Sequence, residues 1–157
     1  MKNVVISLCL LSLSIISFSQ EQKMKNDHFN VQSGLSFEAH NSKNYGMSFG
    51  GVVGQNFGDK TKPNYSAGIY FDVIFVNEPI VAPRFKVSYN YLGIFGVNLN
   101  LANHYREGLN DLRLTPEINF SLYGNMSLFL GYNIPISNYQ FNEVGDFKIG
   151  INLNLIR

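Results

Sequence analysis

The last stretch of the chain, DFKIGINLNLIR at residues 146–157, alternates apolar and polar side chains from end to end. Its apolar positions are Phe147, Ile149, Ile151, Leu153 and Leu155. The positions between them are Lys148, Gly150, Asn152 and Asn154. Because successive side chains of a strand point to opposite faces of a sheet, this period of two predicts a β-strand with one apolar and one polar face.

The same alternation recurs in seven earlier segments, each bounded by turn residues. These predicted strands run at about 29–40, 45–57, 64–76, 84–91, 95–105, 111–122 and 126–136. No helical period occurs after the first residues of the chain. Eight antiparallel strands can close into a barrel, which removes the unpaired edges of an open sheet. The sequence therefore predicts an all-β, eight-stranded, up-and-down barrel.

The amino terminus has the pattern of a secretory signal peptide. A short basic start precedes a mostly apolar run, and Ser17 and Ser19 supply small residues before a cut at Gln20. The apolar run is shorter than the ~20 residues that a membrane-spanning helix needs. We expect a signal peptide at 1–19, a polar leader at 20–28 and a barrel domain at 29–157. The single cysteine, Cys9, lies in the predicted signal, so no disulfide or thiolate metal site is expected after cleavage.

Composition narrows the class of protein. The formal charge is +1, so there is no basic surface to bind nucleic acid. Charged residues make up 15% of the chain, against about 25% in typical soluble domains. Aromatic residues make up 14%, without a single tryptophan. A secreted chain that is poor in charge and rich in aromatic residues is unusual for a soluble protein.

The polar face of the strands is mostly Gly, Ser and Asn, which suit the narrow interior of an eight-stranded barrel. The apolar face carries more aromatic volume than such an interior holds: Phe71, Phe75, Phe85, Tyr89, Tyr91, Phe95, Phe120 and Tyr132. We therefore expect the apolar face to point outwards. Aromatic residues also gather near both ends of the strands, as in the two girdles that a bilayer selects. Phe and Tyr are also good strand formers, but the girdle interpretation is favoured because the middle of the apolar face is aliphatic, at Val97, Leu99, Ile149 and Ile151.

With this pattern, residues Phe29 to Arg157 resemble the small eight-stranded outer-membrane β-barrels of Gram-negative bacteria, the OmpA transmembrane-domain and OmpX type. The resemblance implies a transmembrane barrel in the cell outer membrane, in contact with outer-membrane lipids and with the barrel-assembly machinery. Such barrels usually end in an aromatic residue that this machinery recognises, whereas this chain ends Leu155-Ile156-Arg157. The expected role is non-enzymatic, structural or in surface interaction. The alternatives are a soluble periplasmic lipocalin-like barrel for a small apolar ligand, and an outer-membrane lipid-modifying enzyme.

Charged residues on the predicted inner face form a candidate structural network. They are Glu38, Asp72, Arg84, Lys86, Arg113, Glu117 and Lys148. Closure of the last strand on the first places Lys148 beside Glu38, and a register centred near Pro79 places Asp72 opposite Lys86. Because buried charges persist only when paired, and eight strands leave an interior just filled by side chains, a salt-bridge plug is favoured over an ion path.

The sequence predicts no catalytic, cofactor or metal site. The histidines are His28, His40 and His104; they form no ligand pair, and no Gly-x-Ser-x-Gly is present. The glycines at 50, 51 and 54 are explained as strand residues at close packing, since no phosphate-binding motif surrounds them. The segment 137–144 is expected to carry exposed aromatic residues, either as a plain surface loop or as a contact for a partner or for lipid headgroups.

The sequence also predicts the lengths of the connections between strands and the effect of two prolines. Short turns are expected at 41–44, 92–94 and 123–125, and longer connections at 58–63, 77–83, 106–110 and 137–145. Pro116 and Pro135 lie inside predicted strands six and seven of a barrel that has no free edge. We therefore expect the ladder between these two strands to be frayed or bulged.

Overall fold

The fold was analysed in a computed structural model of the chain. It describes residues 30–41, 43–55, 57, 62–91, 93–122 and 126–156, with only the backbone of Leu122 and Ile156. The predicted signal peptide and leader, with Cys9 and His28, lie outside the described residues. So do Phe29, the predicted turn at 123–125 and the terminal Arg157.

The described chain is all-β. Its strands are β1 Asn30–His40, β2 Asn44–Gln55, β3 Asn64–Phe75, β4 Ile80–Tyr91, β5 Phe95–Arg106, β6 Leu109–Leu122, β7 Met126–Tyr132, β8 Ile134–Pro135 and β9 Phe147–Ile156. Each strand from β1 to β6 pairs antiparallel with the next, and β7 also pairs antiparallel with β9. The strands β7 and β8 are two parts of one interrupted strand beside β6. Because β9 also pairs with β1, the eight strands close into a barrel, as predicted. No helix long and apolar enough to cross a membrane occurs in the described part of the chain.

The pairing register determines the shape of the barrel. A path around the barrel can be traced by stepping from each residue to the one paired with it on the next strand. Starting at Asn30 on β1 and passing through β2 to β7, this path reaches Lys148 on β9. Lys148 in turn pairs with His40, ten residues further along β1. This displacement, with usual strand spacings, tilts the strands about 40° from the barrel axis. A strand of twelve residues then rises roughly 25–30 Å along that axis.

The two faces of the strands have opposite surroundings. On β5, Val97 and Leu99 are 52% and 49% exposed, whereas Asn98 and Asn100 between them are 5% and 0% exposed. On β9, Ile149 and Ile151 are exposed and Lys148 is buried. The apolar face therefore points outwards and the polar face lines the lumen, as the sequence predicts.

The second half of one predicted loop belongs to a strand. The segment 77–83 was expected to be a loop, but β3 and β4 are joined by residues 76–79 alone. Pro83 lies within β4, opposite Phe71 on β3. The prediction was wrong because two prolines in seven residues usually indicate a loop. Pro83 is accommodated because the ladder between β4 and β5 skips its position.

The connection between β5 and β6 is also shorter than predicted. The loop expected at 106–110 is a two-residue turn, Glu107-Gly108, in which Arg106 pairs with Leu109. Both turn residues have positive φ, 49° and 84°. A turn of this hand matches the twist of the flanking strands, so the hairpin continues to its last residue. The long connection predicted at 137–145 is present.

Pro116 interrupts the ladder of β6 as predicted, but without a bulge. Pairing with β7 stops at Glu117 and pairing with β8 resumes at Leu114, in the same register. The Ile136 N–H donates to the Leu112 carbonyl, so Leu112 and Ile136 form a hydrogen-bonded pair. Because every second pair of an antiparallel ladder is hydrogen-bonded, positions 114 and 116 of β6 also belong to such pairs. Pro116 therefore occupies a bonded position opposite Tyr132 and lacks the N–H that this position requires.

Pro135 has a different effect. It pairs with Arg113 at a non-bonded position of the same ladder, so its ring nitrogen points away from β6. On that side, β8 pairs with no strand among the described residues. Pro135 therefore occupies a local edge, the place where a strand tolerates proline.

We expect Pro116→Val to be more stable than Pro135→Val by about 1 kcal/mol, the net worth of one hydrogen bond. Both variants lose the same proline restraint, but only the substitution at position 116 gains an N–H that points at the Tyr132 carbonyl. Unfolding of the two variants in denaturant, under the same solution conditions, measures the difference. Equal stability, or a more stable Pro135→Val, would contradict this assignment of the ladder.

Candidate functional site

The lumen is filled by a few large side chains that lie against glycines of neighbouring strands. A Cβ atom at Gly50 would come within 2.8 Å of Cγ of Tyr70, and one at Gly150 within 2.5 Å of Cζ of Phe129. The Tyr70 hydroxyl also lies against Gly34. Small residues therefore stand where a neighbouring ring needs space, which is how narrow barrels fill their interior.

A continuous chain of ion pairs crosses the middle of the lumen. Arg84 Nη2 lies 3.2 Å from Asp72 Oδ1, and Arg84 Nη1 lies 3.7 Å from Glu38 Oε2. Lys148 Nζ lies 3.6 Å from the same Glu38 oxygen and 2.7 Å from Glu117 Oε1. Acids and bases alternate along this chain, so each charge faces one of opposite sign. We call these five residues the charge chain.

Amide side chains extend the charge chain towards the mouth of the barrel where β4 ends and β5 begins. Asn98 Nδ2 donates to Glu117 Oε2 at 2.9 Å, and Asn119 Nδ2 donates to Asn98 Oδ1 at 3.0 Å. Asn98 is thus held as both donor and acceptor. The lumen near this mouth is therefore lined by neutral, hydrogen-bonded side chains, whereas the charges lie in the middle of the lumen and towards the opposite mouth.

The predicted pairing of Asp72 with Lys86 was wrong. Because β3 and β4 are joined by a tight turn centred on Asn77, Asp72 is opposite Ala82 and Lys86 is opposite Gly68. Asp72 pairs with Arg84 instead. Lys86 Nζ lies 5.4 Å from the centre of the Tyr70 ring, where a cation interacts with the π face.

A second charged pair lies nearer the mouth formed by the β1–β2, β3–β4 and β5–β6 turns. Arg113 Nη2 lies 2.7 Å from Asp111 Oδ2, and both side chains are almost completely buried. Asp111 is missing from the charges predicted from the sequence. It lies two residues before Arg113 and therefore on the same face of the strand. Because the strand was predicted to begin at Asp111, this residue was not assigned to the inner face. With Asp111, the buried lumen carries four acidic and four basic side chains among the described residues.

The connection between β8 and β9 folds down over this mouth, and we call its residues 137–146 the strap. Arg113 donates through Nη2 to the Phe141 carbonyl and through Nη1 to the Gly145 carbonyl, both at 2.8 Å. The Phe141 N–H donates to Asp111 Oδ2 at 2.8 Å. Asn133 Nδ2 also donates to the Gly145 carbonyl, at 3.0 Å. The buried pair therefore binds the strap backbone as well as each other.

Two apolar side chains of the strap insert into the mouth. Phe141 and Val144 are 1% and 0% exposed and pack against Ile74 and Ile80, which point inwards at the ends of β3 and β4. The sequence predicted exposed aromatic residues in this segment. That is wrong for Phe141 and correct for Tyr139, which is 42% exposed.

The outer side of the strap is tied by one ion pair. Arg106 Nη1 lies 2.7 Å from Glu143 Oε1, and the hydrogen bond from Arg106 lowers the pKa of Glu143. A carboxyl with a lowered pKa contributes stability that is present above its unfolded pKa and is lost as the pH falls through the folded pKa. This tie therefore persists into acid below the ordinary titration range of glutamate, about 4.3.

The two described histidines are enclosed by these contacts. His40 Nδ1 lies 2.6 Å from the Val144 carbonyl and its Nε2 lies 3.5 Å from Glu38 Oε1. His104 Nδ1 lies 3.2 Å from the Asp111 carbonyl. Both rings are almost completely buried, so both serve the packing of the mouth. The described residues contain no set of His, Cys, Asp and Glu placed to hold a metal ion.

No family model matches this chain, and no curated protein or solved structure was found to be similar to it.

Replacing one acid of the charge chain tests its structural weight. Glu38→Gln keeps the size of the side chain but leaves Arg84 and Lys148 short of one negative charge in a buried site. We expect a loss of about 3 kcal/mol in unfolding free energy. Glu78→Gln, at an exposed turn, is the control and should change stability by less than about 0.5 kcal/mol. Equal effects of the two variants would show that the charge chain does not stabilise the barrel.

The strap offers a second pair of variants. Phe141→Ala removes a buried ring and is expected to destabilise by about 3 kcal/mol or more, with faster protease cleavage within 137–146. Tyr139→Ala removes the exposed ring that packs edge-on against Phe141, with ring centres 5.1 Å apart, and should cost less, about 0.5–1.5 kcal/mol, with a smaller increase in cleavage. A strap that resists protease equally in both variants would contradict its anchoring by Phe141.

Proposed function

We propose that the protein is an outer-membrane β-barrel of the small OmpA and OmpX type, non-enzymatic, with a filled lumen and a structural or surface-interaction role. The observation that carries this proposal is the outward face of the barrel. Among the described strand residues that point outwards between the two mouths, none is charged. Thirty of the described large apolar side chains are exposed.

The outward tyrosines lie in two bands. Tyr45, Tyr105 and Tyr132 lie near the mouth that the strap covers, and Tyr65, Tyr89 and Tyr91 lie near the other mouth. The band between them is aliphatic with some phenylalanine. It includes Phe37 and Phe85, which are opposite Ile151 and Leu101. Tyrosine suits the boundary between hydrocarbon and water because its ring is apolar and its hydroxyl is polar.

The size of the wall supports the same proposal. Soluble monomers seldom expose an apolar patch larger than about 300–600 Å², whereas here the whole circumference is apolar. The strands rise roughly 25–30 Å along the axis, and the apolar band of outer-membrane barrels is about 25 Å tall. In water this apolar surface would favour aggregation. In a bilayer the same side chains would contact lipid hydrocarbon instead of water.

The contents of the lumen favour a structural role over the alternatives. A lipocalin-like carrier needs an apolar cavity, but the described lumen is occupied by the charge chain and by rings lying against glycines. A lipid-modifying enzyme needs a reachable histidine with a nucleophile, whereas His40 and His104 are enclosed. With the lumen filled, we expect no steady conductance in planar bilayers.

A matched pair of arginine substitutions tests the membrane proposal. Leu99 lies at mid-strand and Leu109 at the rim, and they are 49% and 45% exposed. In water, an arginine at either position would be tolerated equally. In a bilayer we expect Leu99→Arg to cost about 2–4 kcal/mol and Leu109→Arg about 0–1 kcal/mol, measured by reversible folding into phospholipid vesicles. Equal effects, with a wild type that is monodisperse without detergent, would overturn the proposal.

A further inference from the structure

The barrel presents a row of hydrogen-bond donors to the backbone of the strap. Side chains of the barrel donate to four strap carbonyls, those of Phe141, Glu143, Val144 and Gly145. The donors come from four separate parts of the barrel: His40 on β1, Asn44 on β2, Arg113 on β6 and Asn133 between β7 and β8. Because the carbonyls belong to the main chain, these contacts do not depend on the side chains that the bound segment carries.

Two apolar side chains supply the sequence-dependent contacts of the strap. Phe141 and Val144, three residues apart, enter the mouth and pack against Ile74 and Ile80. Main-chain hydrogen bonds that give affinity, with pockets for particular side chains that give selectivity, are the features of a peptide-binding site. The mouth of the barrel has both features, and a segment of its own chain occupies it.

The ladder of the barrel does not depend on the strap. Between residues 138 and 145, no backbone group of the strap is hydrogen-bonded to the backbone of a described strand. The backbone ties lie at the two ends, where the Ser137 N–H donates to the Leu112 carbonyl and the Asn133 N–H donates to the Asp146 carbonyl. Proteins open locally in such units, at a free-energy cost below that of global unfolding. The strap can therefore leave the mouth while the barrel stays closed.

We infer that the mouth under the strap is a peptide-binding site, and that the strap is its built-in competitor. Its external ligand is a segment of another protein with the pattern of the strap, a phenylalanine followed three residues later by a valine. The inference rests on the surface-interaction role proposed above and specifies the partner.

The strap competes strongly because it belongs to the same chain and has a high effective concentration at the site. An external segment binds only the fraction of molecules in which the strap is open. Its apparent dissociation constant is therefore the intrinsic constant divided by that fraction. Weakening the strap, without changing the barrel, raises the apparent affinity for an external segment.

The test frees the site and supplies the strap as a separate peptide. In the full-length protein, the double substitution Phe141→Ala and Val144→Ala removes both anchors of the strap and changes no residue of the barrel. The ligand is a dye-labelled peptide with the sequence of residues 137–146, SNYQFNEVGD, and its binding is followed by fluorescence anisotropy. We expect this peptide to bind the double variant at least tenfold more tightly than the wild type. Gln140→Ala, at an exposed position of the strap, is the matched control and should bind the peptide as weakly as the wild type.

A scrambled peptide of the same composition controls for binding to detergent or lipid. The site is overturned by no binding to the double variant, by equal binding of the scrambled peptide, or by equal affinities of the wild type and the double variant. The proposed membrane location fails separately, when the arginine variants at Leu99 and Leu109 behave alike.

A second variant covers the case in which the double variant does not fold. Glu143→Gln keeps both anchors and removes only the outer ion pair with Arg106. It should raise the apparent affinity for the peptide about two- to fivefold over the wild type, as expected for the loss of one exposed ion pair. An unchanged affinity in this variant would show that the strap does not compete for the site.

Discussion

Closure of β9 on β1 is the constraint on which the rest of the structure depends. An open sheet of these strands would leave two rows of backbone donors and acceptors unpaired. Closure pairs them and, with side chains alternating along every strand, divides the chain into an inside and an outside. The ten-residue displacement on returning to β1 sets the tilt of the strands and therefore the width of the lumen. What can line the lumen follows from that width.

The lumen is narrow, so its residues are either small or matched to small neighbours. Tyr70 and Phe129 fit because glycines stand opposite them. The charges remain because acids and bases alternate from Asp72 to Glu117, and because Arg113 also binds the strap backbone. A buried charge without such partners would cost several kcal/mol. The strap completes the interior by bringing Phe141 and Val144 to the apolar residues at the ends of β3 and β4.

Much of this could be predicted from the sequence because a period of two is a local signal. The alternation in 146–157 gave the strand and its two faces, and repetition of the pattern gave the closed barrel. Features that depend on register were not accessible in the same way. The tight turn after β3 is centred on Asn77, two residues before the predicted centre, and this moves the partner opposite Asp72 by four residues, from Lys86 to Ala82. The ion pair of Asp72 is therefore formed with Arg84.

The strap shows a different limit of prediction. Phe141 and Val144 lie in a segment without periodicity, and nothing local indicates that they fold back into the barrel. Their burial depends on Arg113, Asn133, Ile74 and Ile80, which are distant in the sequence. Asp111, by contrast, was accessible: it shares the face of Arg113 and was missed only because a strand boundary was placed at it.

The most direct test is to measure what surrounds the outward side chains. Nitroxide labels can be placed singly at Leu99 and, as a reference in an exposed turn, at Glu78, in a Cys9→Ser background with the protein folded in phospholipid vesicles. We expect molecular oxygen, which concentrates in hydrocarbon, to relax the label at Leu99 strongly, while a water-soluble nickel complex does not reach it. Free access of the nickel complex to the label at Leu99 would contradict a lipid-facing wall.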